Sequence, residues 1–178
     1  MGSCYARHLL GRENPRVGLL SIGEEDSKGN QLVQETLPLL RGAKHLNFIG
    51  NVEGRDLFKG TCDVIVTDGF TGNVLLKTAE GAAAFLGGSV RNEIKRDLLA
   101  MFGSLFMMPA LGRLKRKLDW EEYGAVPLLG VNGGCFIGHG ASGTRAFRSA
   151  IHTMTTFVET RVNEHIREEI QSDHVTAA

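Results

Sequence analysis

An apolar run, Cys62-Asp63-Val64-Ile65-Val66-Thr67, passes into a polar stretch bracketed by glycines, Asp68-Gly69-Phe70-Thr71-Gly72-Asn73, and then into helical spacing from Val74-Leu75-Leu76. Strand, tight polar turn, helix is the repeating unit of parallel α/β sheets. The same unit holds anions, because the turn offers backbone N–H groups and the helix start carries a partial positive charge. No Gly-Lys-Ser/Thr follows, so this is not a Walker loop, and the Gly-x-Gly-x-x-Gly spacing of a dinucleotide site is missing. The turn points to an anion or a polar acyl substrate, with Asn73 as helix cap and candidate catalytic amide. The plainer reading is that Thr71 or Asn73 only caps the helix.

The pattern recurs along the chain. The tail of a helix over residues 4–11 ends at Gly11, and Arg16-Val17-Gly18-Leu19-Leu20-Ser21-Ile22 reads as a central strand. A loop over 23–30 leads to helical spacing through Leu32, Glu35, Thr36, Leu39 and Leu40, stopped by Gly42. Leu46-Asn47-Phe48-Ile49 reads as a second strand, with a short helix around Leu57 and Phe58. Helical spacing runs from Asn73 to about Phe106, with Gly87-Gly88 as a place to bend or break, and Pro109 starts a new segment reaching Tyr123. Residues 133–138 read as a short strand, 139–143 as a second small-residue turn, and Thr144 to about Ile170 as a long helix. The expectation is one α/β domain over residues 1–178, with a largely parallel, doubly wound sheet. Ligands gather at the carboxyl ends of such strands, so the loops 23–30, 68–73 and 139–143 are expected to converge there.

Each loop carries candidates for chemistry. In the first, Lys28 offers a cation to a phosphate or a developing oxyanion, and Glu24 and Glu25 are potential acid/base groups. The bland alternative is a solvated acidic loop, with Asn30 capping the next helix. Asn73 lies 45 residues beyond Lys28, one βαβα passage later, which places both at one sheet edge if the parallel reading holds. In the third loop, His139 sits between Gly138 and Gly140 as a proton carrier or phosphate contact. Ser142 reads first as a helix cap whose hydroxyl could also meet an anion; a catalytic triad would need geometry that spacing does not supply. The other five histidines read as surface residues.

Formal net charge is zero, so no global attraction to nucleic acid is expected. Apolar residues make up 42% and charged residues 22%, an ordinary globular balance. Three distant cysteines, Cys4, Cys62 and Cys135, indicate neither a disulfide framework nor a zinc site, and favour a reducing, cytoplasmic compartment. Cys62 and Cys135 lie in apolar runs and are expected to be small buried thiols. No apolar run approaches ~20 residues, so no membrane span is expected. The start lacks the basic and apolar regions of a signal peptide, and Ala6 stands where a myristoylation motif has Ser/Thr.

The segment Phe106-Met107-Met108-Pro109-Ala110-Leu111-Gly112-Arg113-Leu114-Lys115-Arg116-Lys117-Leu118 is basic and amphipathic, with Leu111, Leu114 and Leu118 on one helical face and Trp120 and Tyr123 nearby. Such a segment suits an anionic membrane surface. The alternative is a helical tip or subunit contact with a solvated basic side.

Four stretches together carry a resemblance. Residues 14–30, Gly50-Asn51-Val52-Glu53-Gly54-Arg55-Asp56, Asp68-Gly69-Phe70-Thr71-Gly72-Asn73 with Val74-Leu75-Leu76-Lys77, and His139-Gly140-Ala141-Ser142 are similar, in order, to the phosphate acyltransferases of bacterial phospholipid synthesis, the PlsX family. The resemblance implies a three-layer α/β/α sandwich, like phosphotransacetylases and isopropylmalate dehydrogenases, with a protruding helical hairpin and a homodimeric assembly. It implies transfer of an acyl group from acyl carrier protein to inorganic phosphate, with no metal or redox cofactor. The acyl phosphate would feed a membrane-bound glycerol-3-phosphate acyltransferase, from a cytoplasmic position peripheral to the inner face of the membrane. Lys28 and Asn73 match the family's active-site lysine and asparagine. Gly23, Glu24, Glu25, Asp68, Gly69, Thr71, Gly72, His139, Gly140 and Ser142 fall in its substrate loops. Residues 105–120, with Met107, Met108, Leu111, Leu114 and Leu118, match its membrane-touching tip. The resemblance covers only the second half of the family's length. That leaves as rivals a non-catalytic dimerisation and membrane-docking half, and an isopropylmalate-type dehydrogenase sharing the fold.

Overall fold

The computed structural model describes residues 1–117 and 119–176. Among these are helices α1 (Gly2–His8), α2 (Gln31–Gly42), α3 (Gly69–Arg96), α4 (Leu98–Lys117), α5 (Thr144–Glu159) and α6 (Val162–Thr176). The strands are β1 (Arg16–Leu20), β2 (Asn47–Val52), β3 (Val64–Val66), β4 (Ala125–Pro127) and β5 (Phe136–Gly138). Short 3-10 turns cover Gly54–Phe58 and Trp120–Glu122. The chain is a mixed α/β protein that groups into two compact units, one of residues 1–67 with 124–178 and one of residues 68–123.

The first unit is built on a parallel sheet of order β2-β1-β3. β1 is the central strand because its side chains are apolar on both faces, and Val17 and Leu19 are buried. Arg16 ties the strand starts together: its backbone N–H and its Nε both donate to Asp63 Oδ2, at 2.9 and 3.0 Å. That hydrogen bonding from Arg16 holds the Asp63 carboxyl below its ordinary range. The β1–β2 register slips at one place, where Val17 faces Phe48 but Gly18 faces Gly50, so Ile49 bulges out. Gly50 takes φ 99° at the bulge. A Cβ on Gly18 would come within 2.6 Å of Val52 Cγ1, so only glycine lets the two strands close.

β5 departs from expectation. It pairs antiparallel with β4, in a separate two-stranded sheet, so the loop after it does not leave the parallel sheet. α5 lies against β4, and Gly124 is the point of contact. Its φ is 70°, and a Cβ there would stand 2.1 Å from the Ala146 carbonyl oxygen. The core of this part gathers Cys4, Phe157, Val162 and Ile166, with Tyr5, Leu9, Leu129 and Phe136 packed on it. Phe136 meets Phe157 edge-on at a centroid distance of 5.2 Å. α1 thereby docks on α6, and Arg7 Nη1 donates to Glu169 Oε1 at 2.7 Å.

The cysteines and histidines also differ from expectation. Cys4 is the fully buried thiol; Cys62 is half-buried and Cys135 exposed. Burial, reinforced by Glu169, pushes the Cys4 thiol up to about 11. His8 and His165 are not isolated: their rings stack at 3.9 Å, within 8° of parallel. Burial and then His165 lower the His8 pKa.

The second unit is α3 and α4, which pack on one another. α3 runs unbroken through Gly87-Gly88, and Pro109 lies inside α4 rather than starting a segment. The break falls at Asp97, which is extended (φ −128°, ψ 124°) and whose Oδ1 accepts from the Leu99 N–H at 2.9 Å. That carboxylate caps the start of α4 and so fixes where one helix ends and the next begins. α3 has no buried residue.

Candidate functional site

The carboxyl edge of the parallel sheet carries the first loop. Ser21 follows β1 and its N–H donates to the Val52 carbonyl at the end of β2, 2.8 Å away. Beyond it the chain folds over Gly23, which is buried. A Cβ at Gly23 would lie 2.7 Å from Glu25 Oε2 and 2.8 Å from Lys28 Cγ, so the lysine stem lies across a position only glycine can fill. The Glu25 carbonyl accepts twice: from the Lys28 N–H at 3.0 Å and from Asn51 Nδ2 at 3.0 Å. Asn51 is 7% exposed, so a buried amide on β2 fixes the turn that presents Lys28. Arg55 Nη2 lies 3.2 Å from Glu24 Oε1, and Arg41 Nη2 donates to Asp26 Oδ1 at 2.6 Å. Asn30 caps α2 as expected, accepting from the Val33 N–H at 3.0 Å.

With these contacts made, the exposed Lys28 ammonium has no partner among the described residues. Two further polar atoms at this edge, Ser21 Oγ and Asn51 Oδ1, are buried without a hydrogen bond among the described residues. Buried polar atoms of that kind are uncommon, and water, an ion or a ligand can satisfy them. Asn51, Arg55 and Ser21 were not singled out as candidates in the sequence. Asn51 and Arg55 lie in the 50–56 stretch, and Ser21 in the 14–30 stretch, that carry the resemblance.

The third loop is a tight turn in the same unit. The Ser142 N–H donates to the His139 carbonyl at 3.0 Å, and the Ala141 N–H donates to His139 Nδ1 at 3.2 Å. Gly140 and His139 are exposed. Ser142 does not cap α5; Gly143 holds that position, without a side-chain bond. Ser142 Oγ is buried and unsatisfied among the described residues. Beside it lies a cavity of about 320 Å³ whose walls include Phe136, His139, Phe147, Ile151 and Met154. This pocket is mostly apolar, with His139 and Ser142 among its lining residues.

In the second unit, the glycine-bracketed stretch is the first turn of α3 rather than a free loop. Asp68, not Asn73, is the cap: its Oδ1 accepts from the Thr71 N–H at 2.8 Å, and the Gly72 N–H donates to the Asp68 carbonyl at 3.0 Å. The Thr71 hydroxyl and N–H hold the Asp68 carboxyl below its usual range. A carboxylate therefore already occupies the positive end of α3, and an incoming anion would meet that charge. Gly69 and Thr71 are exposed and Gly72 half-buried, and Asn73 presents an exposed amide from the second turn. On α4, Met107, Met108 and Leu114 are 56, 61 and 53% exposed and Leu111 is half-buried. Leu118 lies outside the described residues. No helix among the described residues is long and apolar enough to cross a membrane.

Fold and site together define a mixed α/β protein that gathers polar groups at the carboxyl edge of a parallel sheet, the usual ligand position of this class. The sequence matches the fatty acid synthesis protein family over residues 1–165, and the chain belongs to that family. It is 49% identical over 166 residues to a protein of Aquifex aeolicus named phosphate acyltransferase, covering 93% of this chain and 49% of that one. It is 47% identical over 173 residues to a Geobacter sulfurreducens protein of the same name, covering 97% of this chain and 50% of the relative. A Halothermothrix orenii protein, again named phosphate acyltransferase, is 47% identical over 174 residues, with 97% and 52% covered. The chain thus spans about half the length of these relatives.

Proposed function

We propose that this chain supplies the phosphate-handling residues of a phosphate acyltransferase that makes acyl phosphate from acyl-acyl carrier protein and inorganic phosphate. The observation that carries the reading is Lys28: an ammonium without a partner among the described residues, its stem laid over Gly23 and its turn braced by buried Asn51. The names of the relatives supply the reaction class.

In this reading a phosphate oxygen attacks the thioester carbonyl carbon. The carbonyl electrons move onto oxygen and return as the C–S bond breaks. The carrier's thiolate leaves and takes a proton, and acyl phosphate remains. Phosphate is a competent nucleophile, so the protein's task is positioning and charge stabilisation. Lys28 neutralises phosphate and the tetrahedral oxyanion. Asn73 donates its amide to a carbonyl or phosphate oxygen, from a helix start held by the Asp68 cap. His139 serves proton balance, and Gly23, Glu24, Glu25, Gly69, Thr71, Gly72, Gly140 and Ser142 shape the substrate loops. The architecture is the three-layer α/β/α sandwich of a single domain, in a homodimer, with α3 and α4 as its helical hairpin. Met107, Met108, Leu111 and Leu114 touch an anionic cytoplasmic membrane face, beside the basic run of Arg113, Lys115, Arg116 and Lys117. There a membrane-bound glycerol-3-phosphate acyltransferase consumes the product.

A second reading has the chain as a non-catalytic half that acts only with the remainder of a relative-length protein. Exposed apolar side chains in the first unit favour it: Ile22 is 82%, Phe58 74% and Leu39 73% exposed. The test is release of free carrier thiol from acyl-acyl carrier protein, with and without phosphate. It is run on the 178 residues and on a protein of the relatives' length that contains them. Phosphate-dependent release by the longer protein supports the proposal, and release by both removes the second reading. No phosphate-dependent release by either contradicts the proposal.

A further inference from the structure

α1 and α6 face each other with two i,i+4 pairs: Cys4 and His8 on one, His165 and Glu169 on the other. Side chains four apart share a helix face, so all four project into the α1–α6 interface. Ligand atoms of Cys4, His8 and Glu169 lie within 4.8 Å of one another. In a tetrahedral zinc site, bond lengths of about 2.0–2.3 Å set ligand atoms about 3.3–3.6 Å apart. Zinc binding therefore requires the three side chains to draw closer together.

We infer that Cys4, His8 and Glu169 form a Zn²⁺ site that clips α1 to α6, with the fourth position left to solvent. A thiolate, an imidazole and a carboxylate make a donor set suited to zinc. The surroundings fit the role. Arg7 donates to Glu169 Oε1 at 2.7 Å and holds the carboxylate at the interface, as outer partners of metal ligands do. His165 lies flat on His8 at 3.9 Å and fixes its ring plane. Cys4 is fully buried, which shields a zinc-bound thiolate from solvent. The opposing cost is the Cys4 proton: burial favours the neutral thiol, and only a cation bound directly to sulfur reverses that preference. This site is independent of the acyl-transfer reading.

The test uses the whole 178-residue chain, stripped with a chelator and titrated with Co²⁺ as a spectroscopic stand-in for Zn²⁺. The expected result is one equivalent bound, with a thiolate-to-cobalt charge-transfer band, displaced by Zn²⁺. Cys4→Ser should remove that band. The paired change Cys62→Ser with Cys135→Ser should leave it intact. His8→Gln and Glu169→Gln, on half-buried residues, should each weaken binding by about tenfold or more. His165→Ala should shift the cobalt spectrum while the one-to-one stoichiometry stays. Zn²⁺ should also raise Tm in step with its free concentration. If Cys4→Ser does not fold, the His8 and Glu169 variants decide. No charge-transfer band in the unaltered protein, or undiminished binding in both those variants, overturns the site.

Discussion

The two units differ in how much apolar surface they bury. The first closes a core around Cys4, Phe157, Val162 and Ile166, with strand ends, caps and ion pairs holding the loops around it, although Ile22, Leu39 and Phe58 stay exposed. The second leaves more outside: α3 buries no residue, and Phe85, Phe102 and Phe106 are 72, 68 and 88% exposed. Apolar surface left open on this scale marks a place that another surface covers. The first unit carries Lys28 and His139, whereas the second carries Asn73 and the exposed apolar side chains of α3 and α4. On the proposed function, the first unit supplies Lys28 and the second both Asn73 and the adhesive surface.

That contrast breaks most visibly in the core. Phe157→Ala should cost about 3–5 kcal/mol in chemical unfolding, while Phe106→Ala should stay within about 0.5 kcal/mol. Equal costs would erase the distinction. Gly124→Ala should come next, at about 3 kcal/mol, because its methyl group meets α5 backbone and its positive φ is strained. Leu114→Glu should weaken binding to anionic vesicles without altering Tm; unchanged binding would remove α4 as the adhesive surface. The Arg16–Asp63 pair gives a smaller, pH-dependent effect. Its depressed carboxyl adds stability above the unfolded pKa of about 3.9, and that stability is lost as pH falls through the folded value. Asp63→Asn should therefore be less stable than the parent at neutral pH, with the gap closing in acid denaturation series below about pH 4.

Legibility in the sequence followed range. β1, α2 and its Asn30 cap were readable because they rest on local apolar spacing and one side-chain-to-backbone bond. The start of α3 was misplaced since Asp68 and Asn73 are both good caps, and the choice depends on which peptide begins to coil. Gly87-Gly88 did not break α3, because two glycines weaken a helix without removing a hydrogen bond, whereas the Asp97 cap starts a new one. The antiparallel placing of β5 was illegible, as three residues carry no signal about which edge they join. The α1–α6 cluster was illegible for a stronger reason: Arg7 and Glu169 stand 162 positions apart. Lys28 could be singled out from its loop, but Asn51, whose Nδ2 donates to the Glu25 carbonyl in that turn, could not, because nothing local distinguishes a buried bracing amide from a surface one.

The most direct measurement is the rate of phosphate-dependent thiol release from acyl-acyl carrier protein by a relative-length protein containing these residues, compared with its Lys28→Ala and Asn51→Ala variants. Loss of the ammonium should cut kcat by on the order of 10²–10³, as for removal of a preorganised oxyanion partner. Loss of the brace should lower it less, by roughly tenfold. A Lys28→Ala protein that keeps the parent rate would contradict the account.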